Sequence, residues 1–142
     1  MKDWEKLTHV RWDCKYHLVF VPKYRKRRFY GPLRKDIGGI LRELFKQKES
    51  KVLEGYAMPD HIHLCVSIPP KFSISHVVGY VKGKSAIQIH RRFLGKERNF
   101  TGFHFWGRGF CASTVGLDEK MIREYIRNQE EHEKREEQLN LF

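Results

Sequence analysis

Long apolar runs are missing from this 142-residue chain, and no apolar leader precedes its first charged residues. The first absence argues against a membrane-spanning helix, which needs about 20 apolar residues. The second predicts a protein of the cytoplasm or nucleoid. Cysteine is scarce as well: Cys14, Cys65 and Cys111 are an odd number without a C-x-x-C pair, which argues against a disulfide framework and predicts free thiols in a reducing compartment. Repeats and low-complexity linkers are absent too, so one domain over residues 1–142 is expected.

Acidic residues are the remaining shortage, with 17 Asp and Glu against 28 Lys and Arg, a net charge of +11. Five of the acids (Glu130, Glu131, Glu133, Glu136, Glu137) form one C-terminal run whose only bases are Lys134 and Arg135. Residues 1–129 therefore hold 26 bases against 12 acids, a balance of +14. A field of that sign concentrates polyanions, and nucleic acid is the commonest partner of a soluble basic domain; plain solubility is the competing explanation.

What is present falls into seven periodic segments. Alternation from Trp12 to Val21 predicts a half-buried strand, followed by an acid-free basic and aromatic segment, Lys23-Tyr24-Arg25-Lys26-Arg27-Arg28-Phe29-Tyr30. Leu33, Ile37, Ile40, Leu41, Leu44 and Phe45 make a helical stripe behind Gly31-Pro32. A strand over Val52 to Met58 leads through the Pro59-Asp60 turn into His61-Ile62-His63-Leu64-Cys65-Val66-Ser67-Ile68. Ser73 predicts the N-cap of a second helix, marked by Ile74, Val77, Val78 and Val81, which carries Lys82, Lys84, His90, Arg91 and Arg92 to Gly95. The aromatic stretch from Phe100 reads as a bent strand continuing to Val115, with glycines at the kink. After Gly116-Leu117-Asp118 a last helix spans about residues 118–138, with a tail at about 139–142. Strand, helix, strand, strand, helix, strand is the order of the α+β ferredoxin-like fold, which RNA-recognition modules share. Its two helices cover one sheet face and leave the other free, and the seventh element can dock there or elsewhere.

His61 and His63 stand on the same side of their strand, with Cα atoms roughly 6.5 Å apart, and so can share an ion. Three readings stay open for the pair: a metal site open to phosphate oxygens, a structural zinc site with Cys65, or plain surface histidines. Tyr125 and Gln129 are one helical turn apart, beside Ile122 and Ile126. A phenol attacks phosphorus only where a cation or base favours phenolate, and a helix-anchoring tyrosine is the alternative.

Several motifs taken together narrow these choices. Asp60-His61-Ile62-His63-Leu64 ahead of Pro69-Pro70, Lys82-Gly83-Lys84-Ser85, Phe105-Trp106 to Ser113-Thr114-Val115-Gly116, and Arg123-Glu124-Tyr125-Ile126 to Gln129 stand in this order along the chain. In that arrangement the sequence resembles the single-tyrosine HUH transposases of the IS200/IS605 insertion sequences. The resemblance implies that His61, His63 and Gln129 ligate Mg2+ or Mn2+, and that Tyr125 is the nucleophile of a 5′-phosphotyrosine intermediate. Cys65 then serves packing, and Asp60 either orients a histidine or remains a turn residue. It further implies single-stranded DNA bearing a hairpin as substrate, a prokaryotic host, and a homodimer in which the Gly116-Leu117 hinge lets a tyrosine helix reach the partner's histidines. Lys23, Arg25, Lys26, Arg27, Arg28, Lys82, Lys84, Arg91 and Arg92 are the expected phosphate contacts, each with a solvated surface role as its alternative. A non-catalytic nucleic-acid-binding module of the same fold, including one put to host use, is the rival function; the chain has no aromatic RNP signature.

Overall fold

Alternation along the central strands builds the molecule from the middle outward. In the computed structural model, which describes residues 5–7, 10–26, 28–94 and 105–139, six strands and three helices follow the chain. They are β1 (Glu5–Leu7), β2 (Val10–Trp12), β3 (Lys15–Phe20), α1 (Gly31–Lys46), β4 (Lys51–Met58), β5 (His61–Ser67), α2 (Ile74–Ile89), β6 (Cys111–Ser113) and α3 (Glu119–Leu139). A 3-10 turn spans Lys23–Arg25, and a π-turn, His90–Leu94, prolongs α2.

β3 to β6 form one antiparallel sheet in the order β4-β5-β3-β6, the ferredoxin-like arrangement that the element order predicts. The strand expected from Trp12 to Val21 is two strands in different sheets. β2 pairs with β1, with Leu7 opposite Val10, and the chain leaves that ladder at Asp13-Cys14 before β3 joins β5 and β6.

Cross-strand partners share a face, so the register Leu18↔Leu64 and Phe20↔Ile62 places these side chains with Val66 under α1 and α2. The predicted stripe from Leu33 to Phe45 is buried against them, and so are Val77, Val78, Val81 and Ile89 of α2. Ser73 caps α2 as expected, its Oγ accepting the His76 N–H at 3.0 Å. Phe20, Phe29, Phe105 and Trp106 close one end of this core edge to face, and the buried Trp106 indole donates to Ser85 Oγ at 2.9 Å.

The bent strand expected from Phe100 to Val115 is not continuous. Residues 100–104 lie outside the described residues, and from Phe105 onward strand pairing occurs only at Trp106, which bridges Pro22, and in β6, which does not begin until Cys111. Between these two points the Gly107 and Gly109 carbonyls accept from the Lys82 ammonium at 2.6 and 2.5 Å, so they are lost to any ladder. Gly109 has φ +72, and a Cβ on Gly107 would lie 2.5 Å from Glu133 Oε1 and 3.1 Å from the Val21 carbonyl.

α3 begins at Asp118, whose Oδ1 accepts the Met121 N–H at 2.7 Å, and it docks on the sheet face that α1 and α2 leave open. There Ile126 is buried on Val19 and Val21, with Cys111, Leu117, Ile122 and Tyr125 around it. Five residues, 114–118, join β6 to α3.

Leu18 is fully buried on a strand paired on both sides. Leu18→Ala is expected to lower unfolding free energy by about 2–5 kcal/mol in urea titrations. Tyr30→Ala, at an exposed site, is expected to change it by less than about 0.5 kcal/mol.

Candidate active site

The face under α3 is assembled row by row from the sheet register. Val19 pairs with both His63 and Cys111, and His63 with Tyr56; His17 pairs with Cys65 and Ser113; Met58 pairs with His61. One face of the sheet thus carries His17, His61 and His63 over two neighbouring strands. The His17 and His63 rings are 5.8 Å apart, and the exposed Tyr56 ring lies 6.3 Å from His63.

The two predicted ligands are held in different ways. Asp60 Oδ1 lies 2.9 Å from His61 Nδ1, so Asp60 does orient a histidine, accepting from a proton on Nδ1. His63 Nε2 is buried without a hydrogen-bond partner. Burial, then the neighbouring His17 and His61, push the His63 pKa below the ordinary value, which keeps its ring neutral and able to ligate. An orphaned ring nitrogen beside a second oriented histidine fits a metal ion. Burial, then the cross-strand Glu54, push the pKa of the neighbouring Cys65 thiol up. Among the described residues no three His, Cys, Asp or Glu side chains converge on one ion position.

A cavity of about 630 Å³ opens in front of the pair. His61, His63, Asp60 and Met58 line it from the sheet, and Ile122, Arg123, Ile126 and Arg127 from α3. Tyr125 and Gln129 are not among its lining residues. Tyr125 packs with Cys111, Val19 and Ile126, and burial, then Cys111 and Glu133, raise its pKa well above that of a free phenol. Gln129 Nε2 donates to the Arg108 carbonyl and lies 3.4 Å from Glu133 Oε1. The two share a helix face as their spacing predicts, but that face meets β6 and the 107–109 loop.

The expected phosphate contacts are dispersed. Lys82 is committed to the Gly107 and Gly109 carbonyls and largely buried, and desolvation lowers its pKa to about 8. It fastens the 107–109 loop. Arg92 pairs with Asp36 at 3.4 Å and lies over Phe93; Lys84 lies over Tyr80, and Arg91 is exposed. Lys23 sits over the Tyr24 ring in the 3-10 turn, Lys26 is exposed and Arg28 half-buried; the Arg25 side chain and Arg27 lie outside the described residues.

Glu133 was missed by sequence reasoning, which counted it only as one acid of the C-terminal run. It is 3% exposed, and its Oε2 accepts the Tyr24 N–H at 2.6 Å. The signal was its spacing: Tyr125, Gln129 and Glu133 recur every four residues on one face. His17 was missed because only the β3–β5 register brings it beside His63.

A family model described as transposase, IS200 like, matches residues 10–129. The chain belongs to this family. It is 43% identical over 141 residues to the transposase for insertion sequence element IS200 of Salmonella typhimurium, covering 99% of this chain and 93% of that one. It is 29% identical over 123 residues to the ISDra2 transposase TnpA of Deinococcus radiodurans, covering 86% and 88% of the two chains. Among solved structures, one assigned as a transposase from Deinococcus radiodurans superposes with a TM-score of 0.75 at 26% identity, over 88% of this chain and 97% of that one. A REP-associated tyrosine transposase bound to a REP hairpin gives 0.52 at 10% identity, over 86% and 68%, a likeness of fold alone. This chain is thus an IS200-family transposase, and no helix among its described residues is long and apolar enough to cross a membrane.

Of the transposase's six tyrosines, Tyr125 is expected to stay protonated in the packed helix. Ultraviolet titration between about pH 9 and 11 should therefore give the same tyrosinate absorbance for wild type and Tyr125→Phe. A signal smaller by one tyrosine in the variant would contradict this packing.

Proposed function

We propose that this transposase cleaves and rejoins single-stranded DNA at insertion-sequence ends, with Tyr125 as nucleophile and His61, His63 and Gln129 as the ligands of a divalent ion, Mg2+ or Mn2+. The observation that carries the reading is the histidine pair, one ring oriented by Asp60 and the other with an unpartnered buried Nε2, facing an open cavity beneath the tyrosine helix in a member of this family. A divalent ion on the pair would supply positive charge beside the scissile phosphate and favour the phenolate.

The chain's own groups do the rest. The Tyr125 Oη forms a bond to phosphorus while the bond to the 3′-oxygen breaks, and that oxygen leaves as a 3′-hydroxyl after taking up a proton. The 5′-phosphotyrosine conserves the energy of the broken bond, so an incoming 3′-hydroxyl can reverse the step and join strands without ATP. One nucleophilic tyrosine per chain makes a homodimer the unit that handles two ends. Burial, then the nearby Cys111 and Glu133, keep Tyr125 protonated, and the histidine cavity lacks both Tyr125 and Gln129. These two facts favour a site completed by moving α3 about the 114–118 connection, within the chain or onto a partner. Subterminal hairpins are the proposed recognition elements; the hairpin named with the structurally similar REP-associated transposase agrees with this.

End-labelled single-stranded hairpin DNA incubated with Mg2+ or Mn2+ is expected to give a covalent adduct with wild type and none with Tyr125→Phe. His63→Ala should slow adduct formation by about 100-fold or more, the scale of losing one preorganised group that stabilises developing charge. An adduct persisting in Tyr125→Phe, or absent with wild type in either metal, would overturn the assignment.

A further inference from the structure

Helical geometry separates the tyrosine from the residues that α3 turns toward the histidines. Tyr125 and Arg127 lie about 200° apart around the helix, with Ile126 between them on the sheet. Tyr125 packs beside Cys111, whereas Arg123 and Arg127, one turn apart, line the cavity with His61 and His63. Arg123 is paired with Glu119 at 2.5 Å, while Arg127 has no ion-pair partner among the described residues.

We propose that Arg127 is a phosphate-binding residue of this cavity, holding a DNA phosphodiester against His61 and His63 of its own chain. The inference rests on the strand-transfer reading and adds to it a residue that neither the basic loop nor the α2 face supplies. A guanidinium keeps its charge at any working pH and offers a planar fork that matches two phosphate oxygens, which a lysine cannot do. The cavity is of a size that takes a small ligand, and its α3 wall is apolar apart from the charged Glu119, Arg123 and Arg127. Among the described residues, Arg127 is the one of these that no neighbour neutralises.

The two sides of α3 then have separate work. One side binds the phosphate in its own chain's cavity, and the other carries the nucleophile. A chain can hold a scissile phosphate while its own Tyr125 is packed away, so the attacking phenol belongs to a second copy or to an α3 that has left its place.

The test measures equilibrium binding of a short fluorescent single-stranded oligodeoxynucleotide in EDTA across a salt series, so that no cleavage enters. Arg127→Gln is expected to weaken binding about tenfold and to lower the salt slope by about one phosphate contact. Lys46→Gln, the same charge change at the far end of α1, should alter affinity less than about threefold. Should Arg127→Gln lose its native melting transition, Arg127→Lys, which keeps the charge but not the fork, takes its place with an expected loss of a few-fold. In metal, Arg127→Gln should raise KM for adduct formation more than it lowers kcat. An Arg127 variant that binds DNA as Lys46→Gln does would overturn the proposal. Failure of the wild type to form an adduct would overturn the strand-transfer reading instead, because binding in EDTA is read without cleavage.

Discussion

Ile62, Leu64 and Val66 alternate with His61, His63 and Cys65 along β5, so one hydrogen-bonding register sets both the main core and the histidine pair. A slip by one residue would send the histidines beneath α1 and α2 and the aliphatic side chains out under α3. That slip is opposed on both flanks, since β5 is paired along its length with β3 and β4. The site therefore inherits its rigidity from the core. His63 is held by the burial of Leu18 and Leu64 on the opposite face as much as by anything it touches.

The second constraint is polar and lies at the other side of α3. Glu133, Gln129, the Tyr24 amide, Lys82 and the carbonyls of residues 107–109 form one connected network around a buried carboxylate. Leaving a buried polar member of such a network without its partner commonly costs about 1–3 kcal/mol. The same carboxylate helps hold Tyr125 as a phenol. The network thus fixes where the helix rests, and it does so in a position where Tyr125 and Gln129 are occupied elsewhere.

Much of this was legible in the sequence, and the parts that were not have definable causes. Alternation from His61 to Ile68 and the stripe from Leu33 to Phe45 report burial directly, because one face of each meets apolar neighbours along its whole length. The β3 strand misled because alternation continues through Trp12 although the chain changes sheets at Asp13-Cys14, and periodicity carries no information about partners. Charge patterns were equally blind to partners. Glu133 reads as solvated among Glu130, Glu131 and Lys134, and Lys82 reads as a free cation beside Lys84, until a glycine loop is packed against both. Four-residue spacing established that Tyr125 and Gln129 share a face. It could not establish which surface that face meets, since this depends on how far around its axis α3 is rotated when Ile126 seats on Val19 and Val21.

The five-residue connection between β6 and α3 has a kinetic consequence. Fully extended, such a tether spans about 17 Å, so the first turn of an α3 lifted from its sheet stays within that radius of the end of β6. Over such a distance the effective concentration of a tethered element is on the order of millimolar. Undocking and return are then a first-order exchange that does not depend on how dilute the protein is. Only a docking surface that receives the first turn of the helix inside that radius can compete for it, which makes the length of residues 114–118 a ruler for how closely two copies must approach before one can take up the other's helix.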